Sequence, residues 1–279
     1  MRPARSQHGE ARLRHAWWLA AAGLAVVVAL CSCGMPPVPV AKTSTRYDFE
    51  AGRVAFDSKR YLDAQNFLKR FLDLNPGHAV ADSAQFLLGL SQSRSGAFAE
   101  AAVEFAILVR EFPRSNLRDD AAYQECMAFF SQMRPAQLDP TFALRARGCF
   151  NEFLLRFPDS DLGPEARARL VEIADRLAEK EYRTALMFTN LKKYESALVY
   201  IDELLGKYPN STWVPHALFL RAKALVRRER NAEAITTLQR LLAVFPDHAV
   251  AGEATTLLDS LRAHESTPPA PGGTGETEP

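Results

Sequence analysis

Four cysteines and six histidines hold most of the reactive chemistry open to this 279-residue chain. Cys31 and Cys33 sit at the end of an apolar run, in Leu30-Cys31-Ser32-Cys33-Gly34, where a thiol is open to acylation. Cys126 and Cys149 are nearly equidistant from residues 137 to 138, the middle of a polar, proline-containing stretch. In an antiparallel helix pair they would face each other. An oxidising compartment would permit a disulfide there, and two buried free thiols packing as small apolar groups are the rival arrangement. The histidines offer less. His8 falls in the leader, while His78 and His248 follow prolines in Pro-Gly-His and Pro-Asp-His turns. His15, His216 and His264 have no companion acid or cysteine at ligand spacing. The glycine pair Gly272-Gly273 lies in a tail rather than a phosphate-cradling loop. No catalytic residue, metal or cofactor is expected.

The elements around Cys33 explain its chemistry. Arg2, Arg5, Arg12 and Arg14 stand against the single acid Glu10, and the apolar run Ala16 to Leu30 is short for a membrane span but matches the core of a secretory leader. Its end, Leu-x-Ser-Cys, resembles the substrate of a bacterial lipoprotein signal peptidase. That resemblance implies cleavage before Cys33, diacylation of its thiol and acylation of the new amine. Residues 1–32 are then a signal peptide. Cys31 fits less well, because Leu30 would occupy the position that takes a small residue. The mature chain keeps 30 basic against 32 acidic residues, a balance that points to neither nucleic acid nor anionic lipid.

Five prolines set the phase of the rest: Pro76, Pro113, Pro158, Pro209 and Pro246, spaced 37, 45, 51 and 37 residues apart. Twelve residues before each lies an alanine: Ala64, Ala101, Ala146, Ala197 and Ala234. Eight before each lies a large apolar residue: Leu68, Phe105, Phe150, Ile201 and Leu238. Small residues stand 24 before four of the five, at Gly52, Gly89, Ala185 and Ala222, and Arg134 breaks this register in the third unit. Apolar residues at i, i+3, i+4 and i+7 within each second helix form one buried stripe. The small residues let paired helices approach, and the proline ends the second helix. In the third unit the extra residues fall between the helices, around Arg134 to Pro140, with the second helix starting at Thr141. In the fourth, one helix runs from Pro164 to about Leu191, with Asp161 as its candidate cap.

These positions resemble the tetratricopeptide repeat. The fold expected is an all-α solenoid of about five helix hairpins over residues 45–264, closed by a cap helix from Asp247 to Ala263. Residues 33–44 read as a linker from the lipidated cysteine, and 265–279 as a disordered tail.

A lipobox followed by five such repeats resembles the BamD family of outer-membrane β-barrel assembly lipoproteins. The local likeness lies in Leu177-Ala178-Glu179-Lys180-Glu181, Tyr194-Glu195-Ser196-Ala197 and Tyr208-Pro209-Asn210-Ser211, and in Tyr61-Leu62-Asp63-Ala64 of the first repeat. The resemblance implies a non-enzymatic scaffold, lipid-anchored in the outer membrane and facing the periplasm. Its C-terminal repeats would hold a BamA-like barrel-forming subunit and its N-terminal repeats an extended segment of a nascent outer-membrane protein, alongside other assembly lipoproteins. Gly34 after the acylated cysteine fits outer-membrane sorting. A periplasmic tetratricopeptide adaptor of envelope, division or peptidoglycan machinery is the alternative.

The repeat register names the surfaces. Arg46, Phe49, Arg53 and Phe56, with Phe86 and Leu90, would line an N-terminal peptide groove, its aromatics and arginines suited to an extended peptide ending in a carboxylate or aromatic residue. The competing assignment puts the phenylalanines in the core and the arginines on a solvated face. Tyr182, Leu186, His216, Phe219 and Lys223 would form a partner surface, edged by Arg221, Arg227, Arg228 and Arg230. A solvated helix face accounts for that basic edge equally well.

Overall fold

The computed structural model describes residues 45–135 and 139–266, with the side chains of residues 45, 46, 265 and 266 left aside. The expected leader and linker with Cys33, loop residues 136–138 and the expected tail from residue 267 lie outside the described residues. Eleven α-helices and no strand are found among those described: α1 Thr45–Asp57, α2 Tyr61–Leu74, α3 Ala81–Arg94, α4 Phe98–Glu111, α5 Arg118–Ser131, α6 Thr141–Arg156, α7 Gly163–Asn190, α8 Tyr194–Lys207, α9 Val214–Val226, α10 Asn231–Val244 and α11 Ala251–Ser266. Each packs on the next, giving five hairpins and a terminal helix. That is the tetratricopeptide solenoid the proline phasing predicts. None of the described helices is long and apolar enough to cross a membrane.

The proline-phased residues form the core. All five alanines twelve before the prolines are fully buried, as are the five large residues eight before. The small residues of the first helices explain why. A Cβ on Gly52 would sit 2.7 Å from Leu68 Cγ, and one on Gly89 2.7 Å from Phe105 Cε1, so the glycine admits the large side chain of its partner helix. The residue before each proline leaves the helical region, with φ between −116° and −144° and ψ of 52° to 67°. The following proline ring forbids that residue the helical conformation.

Two turn devices repeat without being visible as prolines. Where first helices end, Lys59, Gly96, Lys192 and Glu229 adopt left-handed φ of 60°, 85°, 58° and 60°. The next residue's N–H then reaches back five residues, as in Arg60 to Ala55 and Lys193 to Phe188, closing the helix in a Schellman motif. Between hairpins, the side chain two after each proline accepts from the N–H two residues further on: His78 from Val80, Ser115 from Leu117, Ser160 from Leu162, Ser211 from Trp213 and His248 from Val250. Ser115 and Ser160 also donate to Asp82 and Asp119, at 2.6 and 2.7 Å, tying each turn to the preceding repeat.

Helix α7 corrects one expectation. It begins at Gly163, is preceded by Leu162 and has no side-chain cap, so Asp161 does not cap it. Ser160 accepts from Leu162 N–H in the turn before the helix, as the equivalent residue does after each of the other prolines. The helix's 28 residues span about 42 Å at 1.5 Å per residue. The 14 residues before Leu177 are the insertion, since Leu177 is where the repeat's own first helix would start.

Candidate interaction surfaces

The N-terminal row is built on α1 and α3. Phe49 and Phe56 are half-buried. Phe49 tilts against core Phe71 at 5.6 Å between ring centres, and Phe56 meets Tyr61 edge-on at 5.8 Å. Phe86 likewise leans on buried Phe105 at 5.7 Å, and Leu90 packs partly into the core. These residues therefore offer part of their surface to the row and spend the rest on the core. Arg53 is exposed and paired with Glu50 at 2.8 Å. Arg46 is placed on α1, with its side chain outside the described set. Beneath this row lies a buried polar seam: Gln85 donates to Glu104 Oε2 at 2.6 Å and Gln92 to Oε1 at 3.3 Å, while Gln92 Oε1 has no partner.

The row is interrupted at the third repeat. Its corresponding residues include Tyr123, Met127 and Phe130 on α5, and the α7 extension reaches them through Arg169. That guanidinium lies 5.2 Å from the Phe130 ring centre. Its hydrogen bonds to Tyr123 and then Glu172 raise its pKa further. On α5 and α6, the structure joins Cys126 to Cys149, their Cα atoms 5.3 Å apart. Cys126 is the ninth residue of α5, as Gly89 is of α3 and Ala222 of α9, so it occupies the small-residue position that appears broken at Arg134. Beside the sulfurs a cleft of about 320 Å³ is lined by Glu125, Glu152, Arg110 and Arg156. Burial, then the charge of Glu152, raises the Glu125 pKa, against the pull of Arg156.

At the C-terminal end, Tyr182, Trp213, His216 and His248 form a ring cluster with centroid separations of 4.8 to 6.0 Å along its contacts. Burial raises the Tyr182 pKa. Burial, then neighbouring His248, lowers that of His216. Leu186 is exposed, with Met187 and Leu191 near it in sequence also exposed. Phe219 is only 7% exposed, because α9 packs against neighbours on several sides, so it gives most of its ring to the core and a narrow edge to this end. One face of its ring still carries Lys223 Nζ at 4.1 Å.

The basic edge is also narrower than the sequence implies. Arg221 pairs with Asp202 at 3.0 Å, Arg228 with Glu195 at 2.7 Å and Arg230 with Glu233 at 2.7 Å. Lys223 keeps only a 3.7 Å contact with Glu253, and exposed Arg227 has no ion pair among the described residues. Both line a groove of about 840 Å³ between α9 and α11, with Tyr194, Phe219, Leu257 and Glu253. The repeat register carries the α9 side of this groove; the α11 side has no repeat pattern of its own, because the cap helix lies beyond the last proline.

The chain is 26% identical over 182 residues to the outer membrane protein assembly factor BamD of Neisseria gonorrhoeae, covering 64% of this chain and 57% of that protein. It is 23% identical over 217 residues to the protein of the same name from Haemophilus influenzae, covering 74% and 82%. The match to BamD of Neisseria meningitidis serogroup B spans half of that protein. A solved tetratricopeptide-repeat protein from Bacteroides fragilis overlaps 80% of this chain and 100% of its own, with TM-score 0.44 and 15% identity. A family profile described as outer membrane lipoprotein, YfiO, matches residues 39–241, well over half of the sequence, and the chain belongs to that family.

Proposed function

We propose that this chain is a non-enzymatic scaffold of outer-membrane protein assembly, anchored through lipidated Cys33 in the outer membrane and facing the periplasm. The family match over residues 39–241 carries the proposal, and relatives named outer membrane protein assembly factor support it. A solenoid of hairpins suits the task, since stacking repeats extends a continuous binding surface without requiring a catalytic centre.

In this reading, exposed Arg53 and the half-buried faces of Phe49, Phe56, Phe86 and Leu90 receive an extended segment of a nascent outer-membrane protein. Tyr182, Leu186, His216 and Lys223 contribute to the contact with a barrel-forming subunit. The experiment is capture of the tagged mature chain from detergent-extracted envelopes. Recovery of a barrel protein with periplasmic polypeptide-transport domains supports the proposal. Recovery of cell-wall hydrolases or synthases in its place overturns it in favour of a peptidoglycan adaptor.

A further inference from the structure

We infer that the groove between α9 and α11 is a docking site for residues 267–279 of the same chain. The inference is independent of which partners the scaffold holds, because groove and segment belong to one polypeptide.

The groove's chemistry selects the occupant. Its walls are apolar and aromatic, from Tyr194, Phe219 and Leu257, and its cations are Arg227 and the loosely held Lys223. The neighbouring arginines already hold close pairs with Asp202, Glu195 and Glu233 at 2.7 to 3.0 Å, whereas Arg227 has no ion pair among the described residues. The single acid lining the groove, Glu253, touches Lys223 at 3.7 Å with both side chains well exposed, a contact easily exchanged. Residues 267–279 read Thr-Pro-Pro-Ala-Pro-Gly-Gly-Thr-Gly-Glu-Thr-Glu-Pro: three closely spaced prolines, then Glu276 and Glu278, and no basic residue. Proline-rich segments dock on aromatic-lined grooves with little ordering entropy left to lose, and two carboxylates complement two cations.

Reach is sufficient. Helix α11 ends at Ser266, and the lining residue Ser260 is six residues back, about 9 Å along the helix. Glu276 lies ten residues past Ser266, a reach of about 31 Å at 3.1 Å per residue. That exceeds the roughly 20 Å from Ser266 back to Glu253. A tether this short holds the segment at an effective concentration on the order of millimolar, so a weak intrinsic affinity suffices for docking.

The test compares the mature full chain with the same chain ended after Ser266, using a synthetic peptide of residues 267–279 as the probe. The shortened chain should bind the peptide with salt-sensitive affinity. The full chain should bind it about tenfold more weakly, because its own segment competes. Lys223→Glu with Arg227→Glu should abolish peptide binding to the shortened chain while its far-UV circular dichroism is unchanged. In the full chain, Glu276→Gln with Glu278→Gln should raise amide exchange in residues 219–227 and 253–260. A peptide that fails to bind the shortened chain, that binds both chains equally or that ignores the charge reversal overturns the inference. So does a shortened chain that dimerises through this groove or takes only another protein's segment.

Discussion

Replacing Cys126 and Cys149 together by alanine tests how the third hairpin is held. The sulfurs join helices separated by the longest inter-helix connection of the described hairpins, residues 132–140, and the bond closes a loop of 23 residues. Loop-closure entropy for that length gives about 3.4 kcal/mol of stabilisation. Alanine at 126 should be well tolerated, since Ala185 and Ala222 fill the corresponding position in the fourth and fifth hairpins with full burial, and alanine at half-buried Cys149 removes only one sulfur. For a chain of this size, a loss of that magnitude lowers Tm by about 7 to 14 °C. Dithiothreitol should lower the Tm of the wild type to near that of the double variant and leave the variant unchanged. That comparison separates the covalent link from the packing of two small side chains. Amide exchange should localise the loss to α5 and α6, because repeat arrays open by neighbouring units. Alkylation of the denatured, unreduced mature protein should label neither Cys126 nor Cys149. Two labelled thiols, or a Tm indifferent to reductant, would refute the reasoning.

The left-handed turn residues give a prediction of opposite sign. Lys59→Gly, Lys192→Gly and Glu229→Gly should each stabilise by about 0.5 to 1 kcal/mol, because a side chain at that φ is strained, and thermal melts that show a loss at all three would contradict this. The His216 pKa, lowered by burial and by His248, makes stability pH-dependent. Above the ordinary histidine value of about 6.5 neither folded nor unfolded chain is charged there; below it the unfolded chain protonates first, so stability should fall as pH drops from 7 towards 5. With residues 1–32 removed Trp213 is the only tryptophan, 5.5 Å from His216, so its emission should follow that titration and lose it in His216→Asn. Cys33→Ser should leave the helical content intact and release the chain from membranes lacking its partners; complete retention in the membrane fraction would overturn lipidation.

Proline phasing made the solenoid legible because a repeat's core contacts are local. A helix and its partner lie within one unit, so Ala64 and Leu68, or Ala101 and Phe105, keep fixed offsets from the proline that ends them. The same counting lost Cys126, for a physical reason. Counting back from Pro158 crosses the enlarged loop, whereas counting forward 13 residues from the preceding proline lands on Gly89, Cys126 and Ala222 in turn. The left-handed turns were invisible because Lys59, Lys192 and Glu229 carry no residue signature of that conformation, and only Gly96 does.

Surface charge was the least legible feature, since it depends on pairs between helices that no single-unit pattern records. Arg221 meets Asp202 across 19 residues and Arg228 meets Glu195 across 33. Of the five basic residues between 221 and 230, three hold close ion pairs, Lys223 keeps a longer contact with Glu253, and Arg227 has no ion pair among the described residues. The same register that buries Leu68 and Phe105 in every hairpin leaves the row of first-helix residues free to differ. In the third repeat Arg169 from the α7 extension overlies that row at Phe130, whereas between α9 and α11 it opens into the groove. An insertion of 14 residues at one helix start therefore separates an N-terminal surface of half-buried aromatics from a C-terminal one with cations in a groove. The two surfaces also rest on different apolar clusters, Phe49 and Phe56 on the one built by Leu68 and Phe71, and Tyr182 and Val226 on the one that runs from Ala101 to Leu261.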